Sequence, residues 1–148
     1  MAKRVITFGT FDLFHYGHLR LIQRAREFGD ELIVGISSDE LNYRKKRRYP
    51  IVCEEHRRGI IEALRCVDMA FIEESLELKQ HYIETYKADV LVMGDDWAGV
   101  FDDMKCEVIY LPRTPSVSTT DIIEIVRTSV RGGGDKYPSC QLEIKLCA

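Results

Sequence analysis

The sequence predicts an α/β fold, an open parallel five-stranded sheet with helices on both faces, and three observations lead there. Short β-branched and aliphatic runs alternate with helical patterns from residue 5 to a triple glycine at 132–134. The strand runs are continuously apolar, as strands covered on both faces are. The polar segments richest in His, Asp, Arg, Ser and Thr follow directly after such runs, where Rossmann-like sheets hold their ligands.

In chain order, Val5-Ile6-Thr7-Phe8 is the first strand. Leu21, Ala25 and Phe28 fall at i, i+4 and i+7 of a helix whose expected C-cap is Gly29. Strand Leu32-Ile33-Val34-Gly35-Ile36 leads into a basic loop, Arg44-Lys45-Lys46-Arg47-Arg48, closed by Pro50. A helix carries Ile60, Ile61 and Leu64, a third strand covers Met69–Ile72, and a helix spans roughly residues 76–86. The fourth strand is Val90–Met93; the fifth, Val108–Leu111, stops at Pro112. Ser118-Thr119-Thr120-Asp121 is a capping-box pattern opening a last helix expected to bury Ile122, Val126 and Val130. Residues 1–131 thus read as one domain. Residues 132–148 read as a Gly-rich flexible tail, in which Leu142, Ile144 and Leu146 alternate as an edge strand would.

Apolar residues make up 45% and charged residues 30% of the 148, a globular composition. No run approaches the ~18 apolar residues of a membrane span, and the N-terminus lacks a signal-peptide core, so a cytoplasmic protein without membrane contact is expected. The net charge of −3 gives no general pull toward nucleic acid. Five widely spaced cysteines without a C-x-x-C pair argue against a disulfide framework or a zinc site.

Three segments carry chemistry. After the first strand comes Gly9-Thr10-Phe11-Asp12-Leu13-Phe14-His15-Tyr16-Gly17-His18. His15 and His18, three apart at a helix start, share one face beside free N–H groups that favour an anion. Gly17 between them lets a phosphate approach the backbone. After the fourth strand, Gly94-Asp95-Asp96-Trp97 offers carboxylates for ribose or base and an indole for stacking. After the fifth, Arg113 followed by Ser118, Thr119 and Thr120 makes a second phosphate cradle at a helix N-terminus. Two such ends at one edge of a sheet suit a polyphosphate. The basic run 44–48 reads as a mobile loop closing over it. Arg57 and Arg65 read equally as further phosphate contacts or as surface ion pairs.

GTFDLFHYGH resembles the nucleotidyltransferase signature in which G-T-F-D precedes H-x-G-H, while MGDDWAGVFD and LPRTPSVSTT resemble the later motifs of glycerol-3-phosphate cytidylyltransferases. The resemblance covers residues 3 to 127. It implies CMP transfer from CTP to a small phosphorylated acceptor, glycerol 3-phosphate first among them, with release of pyrophosphate. It implies that His15 and His18 contact the triphosphate with Lys45 or Lys46, and that Thr10 and Phe11 offer backbone contacts nearby. Arg113, Ser118, Thr119 and Thr120 would hold the departing pyrophosphate, Gly94 and Asp95 would border the nucleotide, and Trp97 the cytidine or acceptor side. Asp12, Arg57 and Arg65 complete the expected acceptor side, Asp12 also as a contact for Mg²⁺ carried by the triphosphate. A homodimer is implied as well. Pro115-Ser116-Val117 stands where Glu-Gly-Ile is commoner, arginines replace some loop lysines, and the tail has no counterpart. The rival readings are a cytidylyltransferase for another acceptor, an adenylyltransferase, an inactive nucleotide-binding regulator and, more distantly, a nucleic-acid-binding module resting on residues 44–48.

Overall fold

The computed structural model describes residues 1–114 and 118–129. Five parallel strands, β1 (Arg4–Gly9), β2 (Glu31–Ser37), β3 (Met69–Glu73), β4 (Val90–Gly94) and β5 (Glu107–Leu111), form one sheet in the order β3-β2-β1-β4-β5. Central β1 pairs with β2 from Arg4↔Glu31 to Gly9↔Ile36 and with β4 from Val5↔Val90 to Thr7↔Val92. The chain builds outward from β1 to β3 and then crosses to the other side for β4. The switch point therefore lies between β1 and β4, where a crevice opens at the strands' carboxyl ends.

The connecting helices are α1 (Tyr16–Arg26), α2 (Asp39–Lys46), α3 (Glu54–Glu62), α4 (Lys79–Thr85, after a 3-10 turn over Leu76–Leu78) and α5 (Thr119–Ser129). Successive residues of β1 feed opposite layers, because strand side chains alternate. Val5 joins Ile22 and Ala25 of α1, Ile61 of α3, and Val34 and Val92 of the sheet. Ile6 and Phe8 join Ile83 of α4 with Phe71, Leu91 and Met93 on the other face. The Rossmann-like fold expected is the fold found. Gly35 in β2 makes room for it: a Cβ there would lie 2.4 Å from the Phe8 ring.

Three local expectations are corrected. Helix α1 ends at Arg26 with a right-handed cap at Glu27, so Gly29 is no left-handed C-cap. Gly29 is small because the chain crosses Lys3, whose carbonyl would lie 2.6 Å from a Cβ. The basic run is not a loop: Arg44, Lys45 and Lys46 form the last turn of α2. Ser38 caps that helix by accepting from Leu41 N, and Asp39 and Glu40 lead it, so both ends match the helix dipole. In α5 the half-buried residues are Ile122, Ile123 and Ile125, while Val126 is 60% exposed, because the covered stripe follows i, i+3. Val130 and the whole 132–148 segment, edge strand included, lie outside the described residues.

Candidate active site

The carboxyl ends of β1, β2, β3 and β4 bring Gly9, Ser37, Glu73 and Gly94 to one cleft of about 620 Å³. One wall carries Thr10, Phe11 and Asp12, from the loop that runs on to Phe14. Phe11 (φ 53°) and Leu13 (φ 48°) both sit in the left-handed region there, a conformation that costs about 1–2 kcal/mol per residue. The surroundings hold it. Thr10 Oγ1 donates to Asn42 Oδ1 at 3.0 Å, and Arg57 Nη1 donates to the Thr10 carbonyl at 2.7 Å. The Asp12 carboxylate accepts from Leu13 N (3.1 Å), Ile51 N (2.8 Å) and Val52 N (2.9 Å). Phe11 is buried and its ring covers Gly9.

His15 and His18 cap α1 by a reciprocal pair of hydrogen bonds. His15, the N-cap, accepts from Gly17 N at its Nδ1 (3.0 Å), and His18 Nδ1 accepts from His15 N (3.3 Å). The rings stack with centroids 3.7 Å apart. Both Nδ1 atoms accept, so in the neutral rings both protons are on Nε2, the edge left for a ligand. Burial lowers the pKa of His15; burial, then His15 and Lys46, push that of His18 down to about 3. Near neutral pH the pair is therefore two uncharged N–H donors over a helix N-terminus.

The opposite wall is the start of α5. Arg113, Thr114, Ser118, Thr119 and Thr120 line the cleft. Ser118 Oγ accepts from Asp121 N at 3.1 Å, as the capping pattern requires, and Thr119 Oγ1 donates to the Asp12 carbonyl at 3.0 Å. That bond fastens the loop leading into α1 to the start of α5. Arg24 of α1 adds a second tie, donating to the Pro112 carbonyl at 2.9 Å. Pro115-Ser116-Val117 lies outside the described residues.

Among the five consecutive cations, Lys45, Lys46 and Arg48 border the cleft. Arg44 instead donates to the Glu74 carbonyl at 2.7 Å, and Arg47 is the left-handed C-cap of α2. Lys45 Nζ donates to Ser37 Oγ at 3.0 Å, and burial lowers its pKa to about 8. After β4, Gly94, Asp96 and Trp97 line the cleft, and Trp97 packs on Phe101 at 5.4 Å between centroids. Thr10, Phe11, Asp12 and Gly17 also reach it.

Four expected site residues are placed differently. Asp95 is exposed and outside the cleft lining; of the two aspartates in the 3-10 turn Asp95–Trp97, Asp96, exposed as well, is the one that lines the cleft. Arg57 is 1% exposed and cannot reach an acceptor. Its guanidinium donates to the Val52, Thr10 and Ser37 carbonyls at 2.7–2.8 Å and pairs with Asp39 at 2.6 Å. Arg65 lies between α3 and β3, at the amino ends of the strands and so across the sheet from the cleft. Asp12 borders the cleft with its carboxylate turned to the loop, where its two oxygens accept from three backbone N–H groups. Among the described residues, no group of three or more His, Cys, Asp and Glu could hold a metal ion.

Sequence reasoning missed Ser37, Asn42, Glu73 and Lys79, all of which line the cleft. The signal was available for two of them: Ser37 and Glu73 are the last residues of β2 and β3, as Gly9 and Gly94 are of β1 and β4. The rule that strand ends carry ligands applied to all of them.

A cleft at the switch point of a parallel sheet, walled by two capped helix N-termini and flanked by lysines, defines a nucleotide-polyphosphate-binding α/β protein. The chain belongs to the cytidylyltransferase-like family, whose model matches residues 6–125. It is 50% identical over 124 residues to the glycerol-3-phosphate cytidylyltransferase of Bacillus subtilis strain 168, covering 82% of this chain and 95% of that protein. The glycerol-3-phosphate cytidylyltransferase of Staphylococcus aureus is also 50% identical over 124 residues, covering 81% of this chain and 92% of that protein. Among solved structures, the lipopolysaccharide core biosynthesis protein of Thermoplasma volcanium superposes with a TM-score of 0.69 at 24% identity, over 77% of this chain and 99% of that one. That last likeness concerns the fold. No helix among the described residues is long and apolar enough to cross a membrane.

Proposed function

We propose that this protein transfers CMP from CTP to glycerol 3-phosphate, forming CDP-glycerol and releasing pyrophosphate. The observation that carries the reading is the neutral His15–His18 pair on α1 facing the hydroxyl-rich start of α5 across one cleft. The half-identical relatives named for this reaction support the choice of nucleotide and acceptor.

A phosphate oxygen of the acceptor attacks the α-phosphorus of CTP in line. One P–O bond forms there as the bond to the β-phosphate's bridging oxygen breaks. The nucleophile is already an anion, so the protein's work is positioning and charge neutralisation. The Nε2–H groups of His15 and His18 donate to phosphoryl oxygens as charge shifts onto them. Their depressed pKa values keep them in one protonation state near neutral pH. Arg113, Ser118, Thr119 and Thr120 hold the departing pyrophosphate, and Lys45 and Lys46 balance charge from the α2 side. Gly94, Asp96 and Trp97 border the nucleoside. Mg²⁺ enters with the triphosphate as part of the substrate, held by its oxygens and water.

The enzyme works in the cytoplasm as a homodimer, without nucleic acid or membrane. A monomer mass by light scattering would refute the dimer. The test of the reaction is pyrophosphate release with CTP or ATP across a panel of phosphorylated acceptors. CTP with glycerol 3-phosphate should give the highest kcat/KM. Preference for ATP would make the protein an adenylyltransferase, and nucleotide binding without pyrophosphate release would make it a regulator.

A further inference from the structure

Glu73 and Lys79 stand out on the cleft floor. Each is 1% exposed, they form an ion pair, and Lys79 Nζ sits 3.6 Å from the centroid of the Phe8 ring. A buried pair is poor evidence of a stabilising device, because desolvation offsets most of its attraction and apolar side chains of equal volume do as well. Its second connection is informative. Ser37 Oγ donates to the other Glu73 oxygen at 3.3 Å, and Lys45 Nζ donates to Ser37 Oγ at 3.0 Å. The direction of this chain is fixed. The Ser37 hydroxyl has one proton, given to Glu73, so its lone pairs face Lys45. Two ammonium groups thus converge on one carboxylate, Lys79 directly and Lys45 through a hydroxyl.

We propose that Glu73 is a positioning residue which, through the Ser37 hydroxyl, fixes the Lys45 ammonium at the cleft wall, with Lys79 as the competing counter-charge. This rests on reading the cleft as the CTP site with Lys45 as a phosphate contact. Lys45 is faced by Glu73 of β3, Lys79 of α4, Arg57 of α3 and its neighbour Lys46. Glu73 favours its charged form; burial and the three cations oppose it. The two members of the buried pair therefore act on Lys45 with opposite sign. Removing Glu73 makes Lys45 lose its proton at lower pH. Removing Lys79 makes it keep its proton to higher pH and leaves Glu73 to Lys45 alone.

The experiment compares wild type with Glu73→Gln, Ser37→Ala and Lys79→Met. Lys45 is titrated in the free protein by the pH dependence of its acylation, read by peptide mass, and kcat/KM for CTP is followed over the same pH range. Ser37→Ala leaves the Glu73–Lys79 pair intact and covers the case in which Glu73→Gln does not fold. Glu73→Gln and Ser37→Ala should move the Lys45 titration down by about half a pH unit or more and lower kcat/KM roughly five- to tenfold. Lys79→Met should move the titration up. Unchanged Lys45 titration in Glu73→Gln and Ser37→Ala would overturn the proposal. So would a rise confined to KM for glycerol 3-phosphate, which would place Glu73 on the acceptor itself. A titration that shifts as stated while the alkaline limb of kcat/KM stays put would support the positioning and refute Lys45 as a phosphate contact.

Discussion

Replacing His18 with Ala should change how stability depends on pH, in a direction the structure fixes. The imidazole has a pKa of about 3 in the folded protein against 6.5 when free, because burial and the nearby His15 and Lys46 oppose its protonation. A group depressed in this way contributes stability above its unfolded pKa, and that stability is lost as pH falls toward the folded value. From pH 7 to about pH 4.5 the unfolded chain takes up a proton at this position and the folded chain does not, which costs wild type about 2.5 kcal/mol. At pH 7 the variant starts lower. It loses the bond from His15 N and the ring contacts with His15, Phe11 and Phe14, together about 1–2 kcal/mol. The order should therefore reverse: His18→Ala is the less stable protein at pH 7 and the more stable one near pH 4.5. Urea unfolding at both pH values, with free energies from linear extrapolation, measures it. A constant gap between the two proteins would mean that His18 protonates in the folded state as easily as in water, and the neutral-donor reading would fall.

Turnover gives a second expectation: His15→Ala and His18→Ala should each lower kcat by about two to three orders of magnitude, the usual loss for one charge-stabilising donor. Steady-state kinetics with both substrates saturating checks this, and near-normal kcat in both variants would remove the pair from the chemistry. Arg57→Met should destabilise the fold by about 3–5 kcal/mol, because the Thr10 and Ser37 carbonyls and Asp39 lose a buried partner together. Thermal or urea unfolding reads it; a loss under about 1 kcal/mol would show that the Thr10–Phe14 loop is held elsewhere.

Much of this could be read from residue order alone. The strands are unbroken apolar runs, and HYGH and RTPSVSTT announce two helix starts that the sheet topology necessarily brings to the same edge. The failures have physical causes. Helix α2 was invisible to periodicity because only Leu41 and Asn42 of its eight residues are buried. Arg57 looked like surface charge because nothing local shows that the Thr10 and Ser37 carbonyls, from two distant segments, join that of nearby Val52 in converging on it. Asp95 and Asp96 are equal in sequence, and which of them lines the cleft depends on the 3-10 turn Asp95–Trp97, which periodicity does not reveal. Glu73 and Lys79 were overlooked because charged residues at the end of a strand or the start of a helix are usually solvated, whereas here both are buried and the Lys79 ammonium sits over the Phe8 and Phe101 rings.

The most direct test of the reaction is isotopic. Glycerol 3-phosphate carrying ¹⁸O in its non-bridging phosphate oxygens is incubated with CTP, Mg²⁺ and the protein, and both products are weighed by mass spectrometry. Attack by the acceptor phosphate on the α-phosphorus predicts CDP-glycerol that retains every labelled oxygen, one of them bridging the two phosphorus atoms, together with unlabelled pyrophosphate. Labelled pyrophosphate, or CTP consumption without a product of CDP-glycerol mass, would contradict it.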